Sequence, residues 1–97
     1  MKAPTAGMIR PRARVVGGMA DLTMYTTTWC GFCRRLKMQL DDAGIGYREI
    51  DIERNADAAR FVEGVNGGNQ VVPTVIYPDE TTATNPSFSE VRAKLAA

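Results

Sequence analysis

Tyr25-Thr26-Thr27-Thr28-Trp29-Cys30-Gly31-Phe32-Cys33 is the stretch whose reading decides the fold. Just before it, Leu22 to Thr26 is a run of β-forming residues. Just after it, the pattern turns helical and stays so through Ala43. Cys33, Leu36, Leu40 and Ala43 fall at helical spacing on one apolar face. Gly44 stands where a left-handed residue past the cap ends a helix. The two cysteines therefore sit at a strand-to-helix junction, with Cys30 at the tip and Cys33 turned toward whatever the helix packs on. This spacing predicts an exposed Cys30 and a buried Cys33.

Working outward, Tyr47 to Ile52 alternates as a second strand. Asn55 reads as the N-cap of a helix through Val65, with Ala58, Phe61, Val62 and Val65 as its apolar face. Asn66 to Asn69 is a loop. Val71 to Tyr77 is β-branched and reads as a third strand, with Pro73 at its start because proline lacks a ladder donor. Pro78 to Glu80 is a turn, and residues 81–84 return as a fourth, antiparallel strand. Ser87 precedes Glu90 by three, the capping-box spacing, so a last helix runs from Phe88 to Ala96. The order β-α-β-α-β-β-α predicts an α/β fold. It has a four-stranded mixed sheet flanked by three helices, whose first β-α-β unit is a right-handed crossover.

The chain has 97 residues, 44% hydrophobic and 24% charged, which is one soluble-type globular domain. Lys plus Arg is 12 against 11 for Asp plus Glu, a net +1 that argues against nucleic-acid binding. No apolar run approaches a membrane span, and none makes a secretory signal. All of the excess positive charge lies in residues 1–20, which hold Lys2, Arg10, Arg12 and Arg14 and no acid. With Pro4, Pro11, Gly7, Gly17 and Gly18 and no periodic pattern, residues 1–20 read as a flexible basic tail. Residues 21–97 read as the domain. Removing residues 1–18 is expected to leave stability and activity intact.

The chemistry centres on Cys30-Gly31-Phe32-Cys33. Thiolate is the nucleophile, and the first turn of a helix offers unpaired N–H groups and a partial positive charge that favour it. Cys30 is then the attacking thiol and Cys33 the resolving one. His is absent and there is no third Cys, so an intramolecular Cys/His zinc site is excluded. A purely structural disulfide closing so small a ring would contribute only about 2 kcal/mol. An intermolecular metal or cluster site and two incidental thiols remain as alternatives. Trp29 and Phe32 flank Cys30, either as hydrophobic contacts for a substrate or as packing beside the loop. Tyr25 reads as core, and Arg34 and Arg35 as solvated helix surface. Asp41, Asp42, Glu53 and Glu63 read as ordinary surface charges.

From about Met19 onward the chain resembles the glutaredoxin-like branch of the thioredoxin fold, and most closely the mycoredoxins of actinobacteria. The resemblance lies in Tyr25–Cys33 (YTTTWCGFC), Val65–Val75 (VNGGNQVVPTV) and Thr84–Ser87 (TNPS). It implies a thioredoxin-like fold of glutaredoxin type and a cis peptide bond before Pro73, in a turn that faces Cys30. It also implies that Val71, Val72, Pro73 and Asn85 contact the thiol ligand or substrate. Ordinary glutaredoxins carry Cys-Pro-Tyr-Cys, a lysine three residues earlier, and a late Gly-Gly-x-Asp element. Here Thr27 and Thr84-Asn85-Pro86-Ser87 stand in those places. Both differences remove contacts suited to glutathione's carboxylates. Mycothiol, a sugar-linked cysteine thiol, lacks those carboxylates. The resemblance implies a cytoplasmic, monomeric thiol–disulfide oxidoreductase with no tightly bound cofactor. Mycothiol is its co-substrate, mycothiolated proteins are its substrates, and mycothiol disulfide reductase with NADPH is its indirect partner. The alternatives are a dithiol redoxin reduced by a thioredoxin-reductase-type flavoprotein, and a [2Fe–2S] cluster carrier.

Overall fold

In a computed structural model that describes residues 14–16 and 22–96, the elements follow the order read from the sequence, with one strand added in front. They are β1 (Arg14–Val16), β2 (Leu22–Thr26), α1 (Gly31–Asp42), β3 (Tyr47–Asp51), α2 (Ala56–Val65), β4 (Thr74–Ile76), β5 (Thr82–Thr84) and α3 (Phe88–Ala96). One sheet runs β1-β3-β2-β4-β5. β2 and β3 are parallel, as the crossover through α1 requires, and the β2–β4 and β4–β5 pairs are antiparallel. The four expected strands and three helices are all there.

β1 corrects part of the expected tail over residues 1–20. Arg14–Val16 pairs antiparallel with β3, with Val15 opposite Arg48, and makes a fifth strand at the sheet edge. Val15 and Val16 are β-branched, and without them the outer ladder of β3 would be open. Three residues are too few to show an alternating pattern in the sequence. The rest of that tail, residues 1–13 and 17–20, lies outside the described residues. No helix among the described residues is long and apolar enough to cross a membrane.

The sheet is covered on both faces, and β2 at its centre is buried along its whole length. On one face Leu22, Met24, Tyr47, Val75 and Tyr77 pack with Leu36 and Leu40 of α1 and Val91 of α3. On the other, Tyr25 and Ile52 pack with Ala58 and Val62 of α2. Each fully buried Leu or Val there contributes roughly 1.5–3 kcal/mol by leaving water. The Tyr25 ring also meets Phe61 at 5.2 Å between centroids, the core role the sequence gives it.

The helix ends obey their signals. After α1, Gly44 takes a φ of +71°. Its N–H reaches the Asp41 carbonyl at 3.0 Å, and the Ile45 N–H reaches Leu40 at 2.9 Å, the paired bonds of a Schellman stop. Ile45 then packs on the core. At α3, Ser87 Oγ accepts the Glu90 N–H at 3.1 Å and Glu90 Oε1 accepts the Ser87 N–H at 2.7 Å, the reciprocal box expected.

Candidate active site

Cys30 is the N-cap of α1. Its backbone is extended (φ −79°, ψ 114°), and its sulfur accepts the Cys33 N–H at 3.1 Å. A sulfur in this position meets the positive end of a helix whose first turn carries no acid. The turn Val71-Val72-Pro73 faces it. The Val72–Pro73 bond is cis, and the Cys30 thiol donates to the Val72 carbonyl oxygen across 3.7 Å. β4 begins only at Thr74, so this turn lies outside the ladder that the sequence extended from Val71 to Tyr77.

The expected exposure of Cys30 is corrected here: the residue is 6% exposed. The turn carrying Val72 lies over its sulfur, and the residues that stand out are its neighbours Trp29 and Phe32, 68% and 65% exposed. Cys33 is fully buried, as its place on the apolar face predicts, and both cysteines are free thiols. Burial pushes the Cys33 thiol up to about 12, and its hydrogen bond to Cys30 adds to the shift. The Thr27 main chain and the charge of Lys37 act weakly the other way. Lys37, one turn along α1, is itself paired with Glu49 at 2.7 Å, and Glu49 also accepts from Thr26 Oγ1 at 2.9 Å. That network ties α1 to the sheet beneath the site.

The cis-proline turn is held from behind by residues the sequence reading missed. The Asn66 side chain donates to the Val62 carbonyl at 2.9 Å and to Thr74 Oγ1 at 3.2 Å, and Thr84 Oγ1 donates to its oxygen. Thr74 Oγ1 donates onward to the Val71 carbonyl at 2.7 Å. The sequence signal was an asparagine closing α2 beside a run of glycines, a pattern equally typical of any helix stop. Asn85, a predicted site residue, takes a φ of +48° just past β5. Its N–H donates to the Pro73 carbonyl at 2.7 Å.

Two flanks result. On the β5 side, Phe32, Arg35, Gln39, Asn85 and Ser87 line a groove of about 480 Å³ between α1 and the start of α3. On the β3 side, the Trp29 indole N–H donates to Glu53 Oε2 at 2.9 Å. Glu53, read from the sequence as an ordinary surface charge, is thus a neighbour of the site. Cys30, Val72, Pro73, Asn85 and Phe32 come together at one end of the sheet. Trp29 borders the other flank, and Val71 is half-buried at the foot of the turn.

A cysteine capping a helix opposite a cis-proline turn, on this β-α-β-α-β-β-α frame, defines a thioredoxin-fold thiol oxidoreductase. The glutaredoxin family model matches residues 22–81, more than half of the chain, and the chain belongs to the glutaredoxin family. A Mycobacterium tuberculosis (strain H37Rv) protein that carries a glutaredoxin name is 59% identical over 76 residues, covering 78% of this chain and 90% of that one. Mycoredoxin 1 of Corynebacterium glutamicum is 47% identical over 79 residues, covering 81% of this chain and 98% of its own length. Among solved structures, the glutaredoxin of Methanosarcina mazei superposes with a TM-score of 0.73 at 25% identity, over 89% of each chain. The chain is a mycoredoxin homologue, as the sequence resemblance implied.

Proposed function

We propose that this chain reduces mixed disulfides between mycothiol and proteins, with Cys30 as the nucleophile. One observation carries the reading: Cys30 caps α1 beneath the cis-Pro73 turn, while Cys33 is fully buried with its thiol pushed up to about 12. The Cys30 thiolate attacks the mycothiol sulfur of the mixed disulfide. A Cys30–mycothiol disulfide forms, and the protein leaves as its thiolate. A second mycothiol thiolate attacks the mycothiol sulfur of that adduct, releasing mycothiol disulfide and the Cys30 thiolate. In balance, one free mycothiol thiol is oxidised to mycothiol disulfide and the protein sulfur of the mixed disulfide is reduced to a thiol. Mycothiol disulfide reductase with NADPH recycles the product.

Cys33 is dispensable in this cycle. Exchange needs a thiolate, and a buried thiol held protonated is slow to expel the adduct from within. The bond to Cys30 disappears once Cys30 is in a disulfide, but the burial persists. The main chain of Val72 is free of the β4 ladder and suits pairing with the backbone beside a bound disulfide, as an added strand does. Trp29 and Phe32 give that segment apolar borders. The groove beside Phe32 and Asn85 is in the size range of small-ligand sites, and its amides and hydroxyls suit a sugar. Thr27 and Thr84–Ser87 lack the charged contacts that glutathione's carboxylates use in ordinary glutaredoxins. The likeness to Mycoredoxin 1 supports the same choice. The setting is the reducing cytoplasm, and the working unit is the monomer.

The test is turnover of a mycothiolated protein with mycothiol or glutathione, each with its disulfide reductase and NADPH, for wild type and Cys33→Ser. Turnover with mycothiol that survives in Cys33→Ser is expected. Turnover that vanishes in Cys33→Ser overturns the monothiol route, and turnover with glutathione alone overturns the choice of thiol.

A further inference from the structure

The Trp29 flank carries a charge that the exchange cycle does not use. Glu53 Oε2 accepts the indole N–H at 2.9 Å. The Glu53 main-chain N–H is fixed by Asp51 Oδ1 at 2.8 Å. Trp29 is adjacent to Cys30 in the chain, so this bond holds an anionic group on the residue next to the nucleophile. Asp51 has a cation nearby, Arg54 at 3.8 Å, whereas no cation among the described residues lies within 4 Å of the Glu53 carboxylate. Of the basic residues on α1 nearest the nucleophile, Arg34 and Arg35 are both exposed, and Arg35 lines the groove by Phe32 together with Glu90. The Trp29 flank, over the β3–α2 loop, therefore carries a carboxylate with no cation beside it among the described residues, whereas the Phe32 groove carries one basic and one acidic residue, Arg35 and Glu90.

We propose that Glu53 is a specificity residue for the regenerating thiol. Its carboxylate, held on the Trp29 flank of the site, disfavours thiols that carry a further negative charge near the attacking thiolate and admits those that carry none. The inference rests on the reading that a small thiol attacks the Cys30 adduct, and it deepens that reading by naming the class of thiol the flank accepts. The physical basis is Coulombic and long-range, so it needs no contact with the thiol and is weakened by salt.

The experiment uses the full chain with Cys33→Ser, so that no internal disulfide forms, and with Cys30 carried as its mixed disulfide with 2-mercaptoethanol. Second-order rates of reduction are measured with thioglycolate (anionic), 2-mercaptoethanol (neutral) and cysteamine (cationic). Each rate in Glu53→Gln and Glu53→Ala is divided by the rate with Glu53 in place, which cancels the intrinsic reactivity of each thiol. Gln keeps an acceptor for the indole and loses only the charge. Removing one charge within a Debye length at surface-like screening is worth roughly two- to six-fold in rate. In Glu53→Gln the ratio is therefore expected to rise for thioglycolate relative to 2-mercaptoethanol by that factor, and to fall for cysteamine. Both shifts are expected to collapse at 1 M salt. Equal ratios for all three thiols in Glu53→Gln overturn the proposal. In that case a uniform loss in Glu53→Ala leaves Glu53 as a mere prop for Trp29. If no thiol reduces the adduct even with Glu53 in place, the regeneration reading itself falls and this inference falls with it.

Discussion

At the start of α2 the Asn55 side chain accepts the Ala58 N–H at 3.0 Å; at the start of α1 the Cys30 sulfur accepts the Cys33 N–H at 3.1 Å. Both caps have extended backbone, and both satisfy a donor that the helix leaves open. The surroundings differ. α2 places Asp57 in its first turn, which complements the helix dipole, and its cap is exposed. α1 has no acid in its first turn, and its cap is covered by a turn of chain from the far side of the sheet. Asparagine is among the strongest capping residues, and sulfur is a weak acceptor. The fold gives up cap strength at α1 and leaves the positive helix end to a group that can become a thiolate.

The largest expected effect separates those two roles. Serine is a good N-cap, so Cys30→Ser keeps the helix start and is expected to melt no lower than wild type. Exchange activity falls on the order of 10³-fold or more, since the nucleophile is gone. Thermal melting and mixed-disulfide turnover on the same preparation check this. A Cys30→Ser protein that is inactive because it has lost its melting transition would mean that the sulfur is a structural requirement, and the contrast with Asn55 would fail.

The α2 start and the α1 start were unequally legible in the sequence. Asn55, Gly44, Ser87 and Glu90 act through neighbours three or four residues away, so their spacing alone identifies them. Cys33 is legible for the same reason, since helical periodicity puts it with Leu36 and Leu40. The resemblance carried the cis bond at Pro73, which residue patterns left as a strand start. What stayed hidden depends on long-range contact. Trp29 to Glu53 spans 24 residues, and Cys30 to Val72 spans 42. No local pattern encodes either. The burial of Cys30 follows from the second contact, and β1 escaped because a three-residue edge strand is defined by its partner.

The next effect concerns pH. The Cys33 thiol ordinarily titrates near 9.0 and is pushed up to about 12 in the fold, chiefly by burial. The folded state therefore holds a proton that the unfolded chain releases first. Its stabilising contribution is complete below pH 9 and is lost as pH rises from 9 toward 12. Wild type is expected to lose melting temperature more steeply than Cys33→Ser above pH 9. Tyr77, also raised by burial, acts alike in both proteins and cancels. Parallel curves would show that Cys33 is not held protonated, and the case for a monothiol route would weaken with it. The α2 cap offers the control: Asn55→Ala, with no titrating group, is expected to cost about 1 kcal/mol at every pH. In a domain of this size that is a drop of roughly 4–8 °C in melting temperature.

The smallest effect tests how far the α1 end departs from ordinary packing. Thr27 is 5% exposed, and its hydroxyl oxygen has no hydrogen-bond partner among the described residues. Its main chain is engaged, with its carbonyl accepting the Cys30 N–H at 3.4 Å. An unsatisfied buried hydroxyl is destabilising, and valine fills nearly the same volume without one. Thr27→Val is therefore expected to stabilise the protein by about 1 kcal/mol, while the backbone bonds around both cysteines persist. No comparable gain is available at Asn55, whose side-chain oxygen is already satisfied by Ala58. A Thr27→Val protein that melts lower would mean that the hydroxyl has a partner in solution. One that melts higher and keeps its exchange rate would place the cost at the α1 start in the unpartnered hydroxyl of Thr27 alone, leaving the cap and the cis-proline turn as the parts the chemistry requires.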